Sequence, residues 1–298
     1  MKSLLFTGSN GFLGKSVIVE LSNMDYDIVT LSRKNACINC DLSQAIPSID
    51  RIFDIVIHAA GKAHEVPKTV YENEQFFKVN FQGTKNLCAA LEKSGIPKSF
   101  IFISTVAVYG LDSGENITED YPLNGYTPYA LSKIKAEKYL SDWCTRHDVI
   151  LSIVRPSLII GRNPPGNLGA MIKGIKSRKY LSIAGGKSRR SMLMVEDIAN
   201  LIPSLAVNGG VLNICDSQHP TFRELEKSIA RQLGKFPPIS IPLRLGILMA
   251  RIGDVLGNNS PFNTEKLNKI TKTLTFSNEK AVRELGWVPL NVLDNFRI

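Results

Sequence analysis

Nowhere does this chain stay apolar for the ~20 residues that carry a helix across a bilayer. Its start also lacks a basic stretch leading into an apolar core and a cleavage site. A membrane span and a secretory leader are therefore not expected, and a cytoplasmic location is. Cysteine is scarce, with five in 298 residues, at 37, 40, 88, 144 and 215. An odd number in a cytosolic chain argues against a disulfide framework. Cys37 and Cys40 have C-x-x-C spacing, but the further ligands a zinc site needs do not follow, and a redox pair would open a helix rather than sit on an apparent strand. No metal is expected. Internal repeats and low-complexity tracts are missing too. Acidic residues are outnumbered, 27 against 36 basic, which gives a formal net charge of +9. The excess is spread along the chain, with one local cluster at Lys187-Ser188-Arg189-Arg190 that reads as a solvated loop. That distribution favours a small anionic ligand over a nucleic-acid groove.

What the chain has is a regular alternation of strands and helices, long enough for one large α/β domain or two lobes. An apolar run at Ser3–Phe6 reads as a buried strand, and apolar residues at helical spacing follow Gly11. Between them lies Thr7-Gly8-Ser9-Asn10-Gly11-Phe12-Leu13-Gly14, whose glycines are spaced G-x-x-G-x-x-G. Glycine lets the backbone turn sharply and lets amides approach an anion, while the helix start adds partial positive charge. The turn is expected to seat a pyrophosphate. A second strand at Asp27–Leu31 ends in Ser32-Arg33, a small residue followed by an arginine, which suits the 2′-phosphate of NADP better than the ribose hydroxyls of NAD. Asp41 follows a short third strand and is placed to accept from an adenine amino group. The fourth strand, Phe53–His58, runs into Ala59-Ala60-Gly61, small residues that leave room for a cofactor. His58 itself reads as a packed strand-end residue.

A long helix is expected from about 71 to 93, stopped by Gly95-Ile96-Pro97. A fifth strand then delivers Ser104-Thr105 to its carboxyl end, where parallel sheets bind ligands. Thr127-Pro128 opens another helix, with Thr as cap and Pro at the first helical position. Tyr129, Lys133, Ala136, Leu140, Trp143 and Cys144 recur on it at three and four, so a phenol and an ammonium one turn apart share the inward face. After Arg155-Pro156 the segments shorten. Residues 1–160 are read as mainly dinucleotide-binding and 161–298 as mainly a substrate lobe, with 191–215 returning to the large sheet or its flank. The apolar helix at 243–256 is expected to be a lid or packing helix rather than one lying on a membrane surface.

Taken in order, Thr7-Gly8-x-x-Gly11-x-x-Gly14, His58-Ala59-Ala60, Val79-Asn80-x-x-Gly83-Thr84, Ser104-Thr105, Tyr129-x-x-x-Lys133, Arg155-Pro156, Arg190 to Asp197 and Asn278 to Trp287 cover nearly the whole chain. On these residues the chain resembles the extended short-chain dehydrogenase/reductase superfamily, in its branch of nucleotide-sugar epimerases, dehydratases and ketoreductases. The resemblance implies an α/β fold, a doubly wound parallel Rossmann-type sheet with a smaller C-terminal substrate lobe. It implies NADP, or alternatively NAD, held by Gly8, Asn10, Gly11, Phe12, Leu13, Gly14, Ser32, Arg33, Asp41, Leu42, His58, Ala59, Ala60, Gly61, Asn80, Lys133 and Pro156. Tyr129, Lys133 and Thr105 are the implied catalytic group, and Thr105, Tyr129, Asn167 and Arg190 the implied contacts to a nucleotide diphosphate-sugar. A homodimer through the helices near 71–93 and 127–147 and a place in surface polysaccharide synthesis are also implied. Val106-Ala107 stands where 4,6-dehydratases carry an acidic pair, so dehydration is disfavoured. Reduction of a 4-keto sugar at C4 is then the expected reaction, with 4-epimerisation on a retained NAD as its alternative. A non-catalytic dinucleotide sensor is the alternative of another class, and it would have lost the tyrosine, lysine or hydroxyl that are all present here.

Overall fold

The opening apolar run becomes β1 (Lys2–Thr7), whose alternate residues feed two layers: Leu4 and Phe6 pack on one side of the sheet and Leu5 on the other. This is the two-residue period of a strand. The structure, a computed structural model, describes residues 1–63, 65–257 and 262–298. After β1 come α1 (Phe12–Leu21), β2 (Tyr26–Ser32), the two-residue β3 (Ile38–Asn39) and β4 (Ile55–His58). The single helix expected from 71 to 93 is a composite of α2 (Val70–Phe76), a π-helical turn over Phe77–Gln82, and α3 (Gly83–Ser94). Next are β5 (Ser99–Ile103), β6 (Gly114–Ile117), α4 (Pro128–Arg146), β7 (Ile150–Pro156) and β8 (Leu158–Ile160). The remainder holds α5 (Gly166–Lys176), β9 (Ser182–Ile183), β10 (Met192–Met194), α6 (Val195–Asn208), β11 (Gly210–Ile214) and α7 (Phe222–Gln232). It closes with β12 (Ser240–Ile241), α8 (Leu243–Val255), α9 (Thr264–Thr271), β13 (Leu274–Phe276), α10 (Glu279–Leu285) and α11 (Val292–Asn295).

Among the described residues, seven strands form one parallel sheet in the order β11-β7-β5-β4-β1-β2-β3. The order reverses between β1 and β4, and at such a switch a crevice opens beyond the strands' carboxyl ends. Side chains of α1 and α6 cover one face of the sheet, and those of α3 and α4 the other. β11 joins the sheet beside β7, whereas β10 stays out of it and pairs with β8. A separate core gathers Ile160, Met171, Met192, Phe222 and Phe296 from the later segments. β6, which local pattern does not announce, pairs with β13 far along the chain, and Thr275 Oγ1 accepts from Asn116 N at 2.9 Å, 159 residues away. The apolar helix α8, expected as a lid or packing helix, packs through its small residues: it buries only Gly246, Ala250 and Gly253, and its large residues face outward. No helix among the described residues is long and apolar enough to cross a membrane.

Candidate active site

At the first turn, close backbone approach dictates residue type. Gly8 has φ 80°, and a Cβ there would fall 2.7 Å from Ala60 N; at Gly14 one would fall 2.3 Å from Gly8 O. Gly8 N donates to Leu31 O at 2.8 Å and Gly11 N to Gly8 O at 3.0 Å, so α1 starts where β1, β2 and β4 end. Gly11 offers no side-chain cap, and the first turn of α1 carries no acid. The partial positive charge at Phe12 and Leu13 is therefore not cancelled by the protein. Asn10 Nδ2 donates to Lys34 O and Asn35 O, tying the loop that carries partly buried Ser32 and exposed Arg33 to this turn. This tight turn, leading into an uncapped helix start, fits a dinucleotide pyrophosphate.

Across the crevice, α4 is launched as its sequence dictates, with Thr127 Oγ1 accepting from Ala130 N at 3.2 Å and Pro128 in the first turn. Tyr129 and Lys133 follow one turn apart. Burial pushes the Tyr129 phenol up, and a hydrogen bond with the Thr105 side chain draws it partly back. Thr105 Oγ1 accepts from Ala107 N at 3.1 Å, which leaves its own proton to donate toward the phenol oxygen. Lys133 Nζ donates to Ile103 O at 2.8 Å and lies 4.6 Å from the Phe102 ring centroid. Burial draws this ammonium down to about 8, against the opposing charge of Glu137. A Cβ at Gly61 would come 3.2 Å from Asn80 Oδ1 and 3.3 Å from Lys133 Nζ, so a larger residue there would press on both side chains. Thr105, Tyr129, Lys133 and Gly61 are thus brought together at the carboxyl ends of β4 and β5.

Two of the residues expected to touch the cofactor have their polar atoms engaged by the protein's own groups. Asn80, on the π turn and fully buried, accepts from Lys62 N at 2.7 Å and donates to Ser132 Oγ at 2.9 Å and Lys62 O at 3.1 Å. One amide therefore clamps the loop after β4 to the helix bearing Lys133. His58 is also fully buried, and burial lowers its pKa to about 3. Thr84 gives its hydroxyl proton to Asn80 O (2.7 Å), so its oxygen accepts from His58 Nε2 (2.9 Å), and His58 Nδ1 accepts from Thr7 Oγ1 (2.7 Å). Both ring nitrogens are used inside the protein, and no side-chain atom of His58 is left for a ligand.

No motif marks Glu137, although it lies four residues beyond Lys133 on the same inward stripe, where a carboxylate is conspicuous. It receives Arg155 Nη2 at 2.7 Å and Nε at 3.2 Å, together with the Ser104 hydroxyl. Arg155 Nη1 also donates to Tyr109 Oη at 3.0 Å, and that hydroxyl donates to Asn213 Oδ1 at 2.7 Å. Burial works against the guanidinium, but Glu137 and Tyr109 outweigh it and hold the Arg155 pKa above its usual value.

The remaining expected residues lie nearer the edges. Asp41 Oδ1 accepts from Ser43 N and Oγ at 3.0 and 2.7 Å, Leu42 is buried with its carbonyl on Asn86, and Pro156 closes β7. Ala60 N donates to Thr7 Oγ1 at 3.2 Å, which fixes the path of Ala59 and Ala60 past Gly8. Asn167 is exposed in the first turn of α5. Arg190 is partly buried, donates to Lys269 O, and takes part in no ion pair among the described residues. Burial lowers its pKa to about 10, against the field of Asp112. A half-buried guanidinium without a carboxylate partner fits a bound anion. No hydrogen bond among the described residues links Asn167 or Arg190 to the Tyr129 group.

Comparison with known proteins bears on this arrangement. A family profile described as the NAD dependent epimerase/dehydratase family matches residues 4–215. The N-acetyl-alpha-D-glucosaminyl-diphospho-ditrans,octacis-undecaprenol 4-epimerase of Escherichia coli O157:H7 is 28% identical over 305 residues, spanning 96% of this chain and 90% of that protein. The GDP-6-deoxy-D-mannose reductase of Pseudomonas aeruginosa is 26% identical over 246 residues, or 76% of this chain and 79% of that one. Among solved structures, RMD from Pseudomonas aeruginosa complexed with NADPH superposes with a TM-score of 0.72 at 22% identity, covering 98% of this chain and 95% of its own.

Proposed function

Since this chain belongs to the NAD-dependent epimerase/dehydratase family, we propose that it reduces a 4-keto sugar, carried on a diphosphate, at C4. The observation that carries the reading is the hydrogen bond between Tyr129 and Thr105, with Lys133 one turn further along the same helix. Burial raises the phenol, so at neutral pH Tyr129 keeps its proton, the form a donor to a ketone requires. A nicotinamide dinucleotide supplies the hydride when bound. Tyr129 then gives its phenolic proton to the carbonyl oxygen, and Thr105 donates a hydrogen bond to that same oxygen as charge builds on it. Lys133, an ammonium at pH 7, stabilises the phenolate left behind and holds ribose hydroxyls. Arg190 binds the diphosphate with its planar fork.

Incubation with a 4-keto nucleotide diphosphate-sugar and NADPH is expected to yield the 4-hydroxy sugar with matched loss of NADPH absorbance. NAD retained through purification, with 4-hydroxy epimers interconverted and no net change in reduced nucleotide, would replace reduction with 4-epimerisation. The E. coli relative's activity favours that second reading, and it also favours a polyprenol in place of the nucleotide. Arg190 would serve either carrier, because it reads the diphosphate.

For the cofactor we propose NADP, on the ground that exposed Arg33 follows Ser32 at the end of β2. Arg33→Ala is expected to weaken NADPH about ten- to hundredfold, as loss of a charge-assisted contact does, and to leave NADH nearly unchanged. Fluorescence titration with both nucleotides checks this; equal losses would remove the argument for NADP.

A further inference from the structure

Helix α8 turns its smallest residues inward. Gly246, Ala250 and Gly253 recur at four and three and are its buried positions. A Cβ at Gly246 would fall 2.8 Å from Ile183 Cγ2 and 3.5 Å from Leu267 Cδ1, so α8 lies close against β9 and α9. At 100° per residue, Leu245, Leu248, Ile252 and Val255 form the opposite stripe, and all four are exposed, Val255 at 89%. Met249 and Leu256 widen that stripe, and Phe236 (90%) and Ile239 (75%) are exposed in the segment that leads into the helix. A helix packed onto a soluble domain shows the reverse arrangement, and contiguous apolar surface of this kind marks a contact face.

Charge selects what the face meets. Arg244 and Arg251, seven residues apart and exposed, line one edge of the stripe. Asp254, the only acid on the helix, has its carboxylate oxygens on Thr264 N and Oγ1. The outer face therefore presents only positive charge, on a chain whose net charge is +9. A second copy packed across a two-fold axis would gather four arginines with no carboxylate of α8 left to receive them, whereas anionic headgroups pair with them directly. Thirteen residues make a helix about 20 Å long, too short to span a bilayer and suited to lying in its interface.

We propose that α8, with Phe236 and Ile239, docks the enzyme on an anionic phospholipid surface. The apolar stripe enters the boundary between headgroups and acyl chains, and Arg244 and Arg251 meet lipid phosphates. The docking face shares its support with Arg190: α9 packs against α8, and its Lys269 and Ile270 carbonyls accept from Arg190 and Ser188. This inference goes beyond the reaction proposed above and does not depend on it.

Vesicle flotation with the full chain tests it. The protein is expected to float with phosphatidylcholine vesicles containing phosphatidylglycerol, less with pure phosphatidylcholine, and less as salt is raised. The triple substitution Leu248→Glu, Ile252→Glu, Val255→Glu should lower the partition coefficient by at least about tenfold, and so should Arg244→Glu with Arg251→Glu, at roughly one kilocalorie per charge near the surface. All five side chains are exposed, so circular dichroism and the melting curve should match the parent protein; if the glutamate triple melts early, the arginine pair decides alone. Failure of the parent chain to float, or equal flotation of the variants, would overturn the proposal. So would a dimer in sedimentation that the triple substitution dissolves, since the face would then belong to a second copy.

Discussion

Tyr129→Phe is expected to lower turnover by about a hundred- to ten-thousandfold, the usual worth of a positioned proton donor, while NADPH still binds. Only the phenolic oxygen is removed, and the ring remains in contact range of Phe76, 6.2 Å between centroids. Thr105 cannot take over the transfer, because an aliphatic hydroxyl is far too weak an acid near pH 7; it can only stabilise charge. Lys133 already donates to Ile103 O, and its remaining protons are proposed to serve the phenolate and the ribose rather than the ketone. Single-turnover kinetics, together with nucleotide titration by fluorescence, separate the two effects. Turnover close to the parent's would remove Tyr129 from the mechanism, and lost NADPH binding would show that the phenolic oxygen helps to hold the nucleotide.

The second large effect is on stability. Glu137 and Arg155 are almost wholly enclosed, with side-chain exposures of 4% and 5%. Glu137→Ala leaves the guanidinium buried without its carboxylate and should cost about 3–5 kcal/mol, as breaking one half of a buried pair does. Urea denaturation should show a lower midpoint with an unchanged slope. Glu137→Gln is the finer probe, because the amide can still accept from Arg155 and Ser104 but no longer carries charge. Glu137 raises the Lys133 ammonium, which burial otherwise draws down to about 8. With the charge gone the ammonium loses its proton at lower pH, so the alkaline limb of the activity profile should move toward neutrality. An unmoved limb would mean that Lys133 does not feel this carboxylate.

Much of the frame is legible because local chemistry decides it. Glycine at 8 and 14 answers to backbone atoms a few residues or one strand away, and Thr127-Pro128 fixes the start of α4 by itself. The roles of Asn80 and His58 are not legible in that way. Their polar atoms are engaged by partners 18 to 52 residues off in sequence, which no local pattern names. Glu137 stood within reach of pattern reading, since a carboxylate on an inward stripe demands a cation, but nothing local says that the cation is Arg155. In α8 hydropathy points to the wrong face. Close approach of helix to strand selected glycine and alanine for the inside, and the large apolar residues were left to the outside.

The β6–β13 pairing carries a consequence for the birth of the protein. As the chain emerges from the ribosome, β6 must wait until β13 has been made, with Asn116 and Thr275 159 residues apart, and the β7 edge stands open until β11 has been made. Contacts of such long range form late and slowly, and an unpaired edge strand invites association with other chains in the meantime. A nascent fragment ending soon after β7 would thus carry most of the nucleotide cradle yet be a natural client for chaperones.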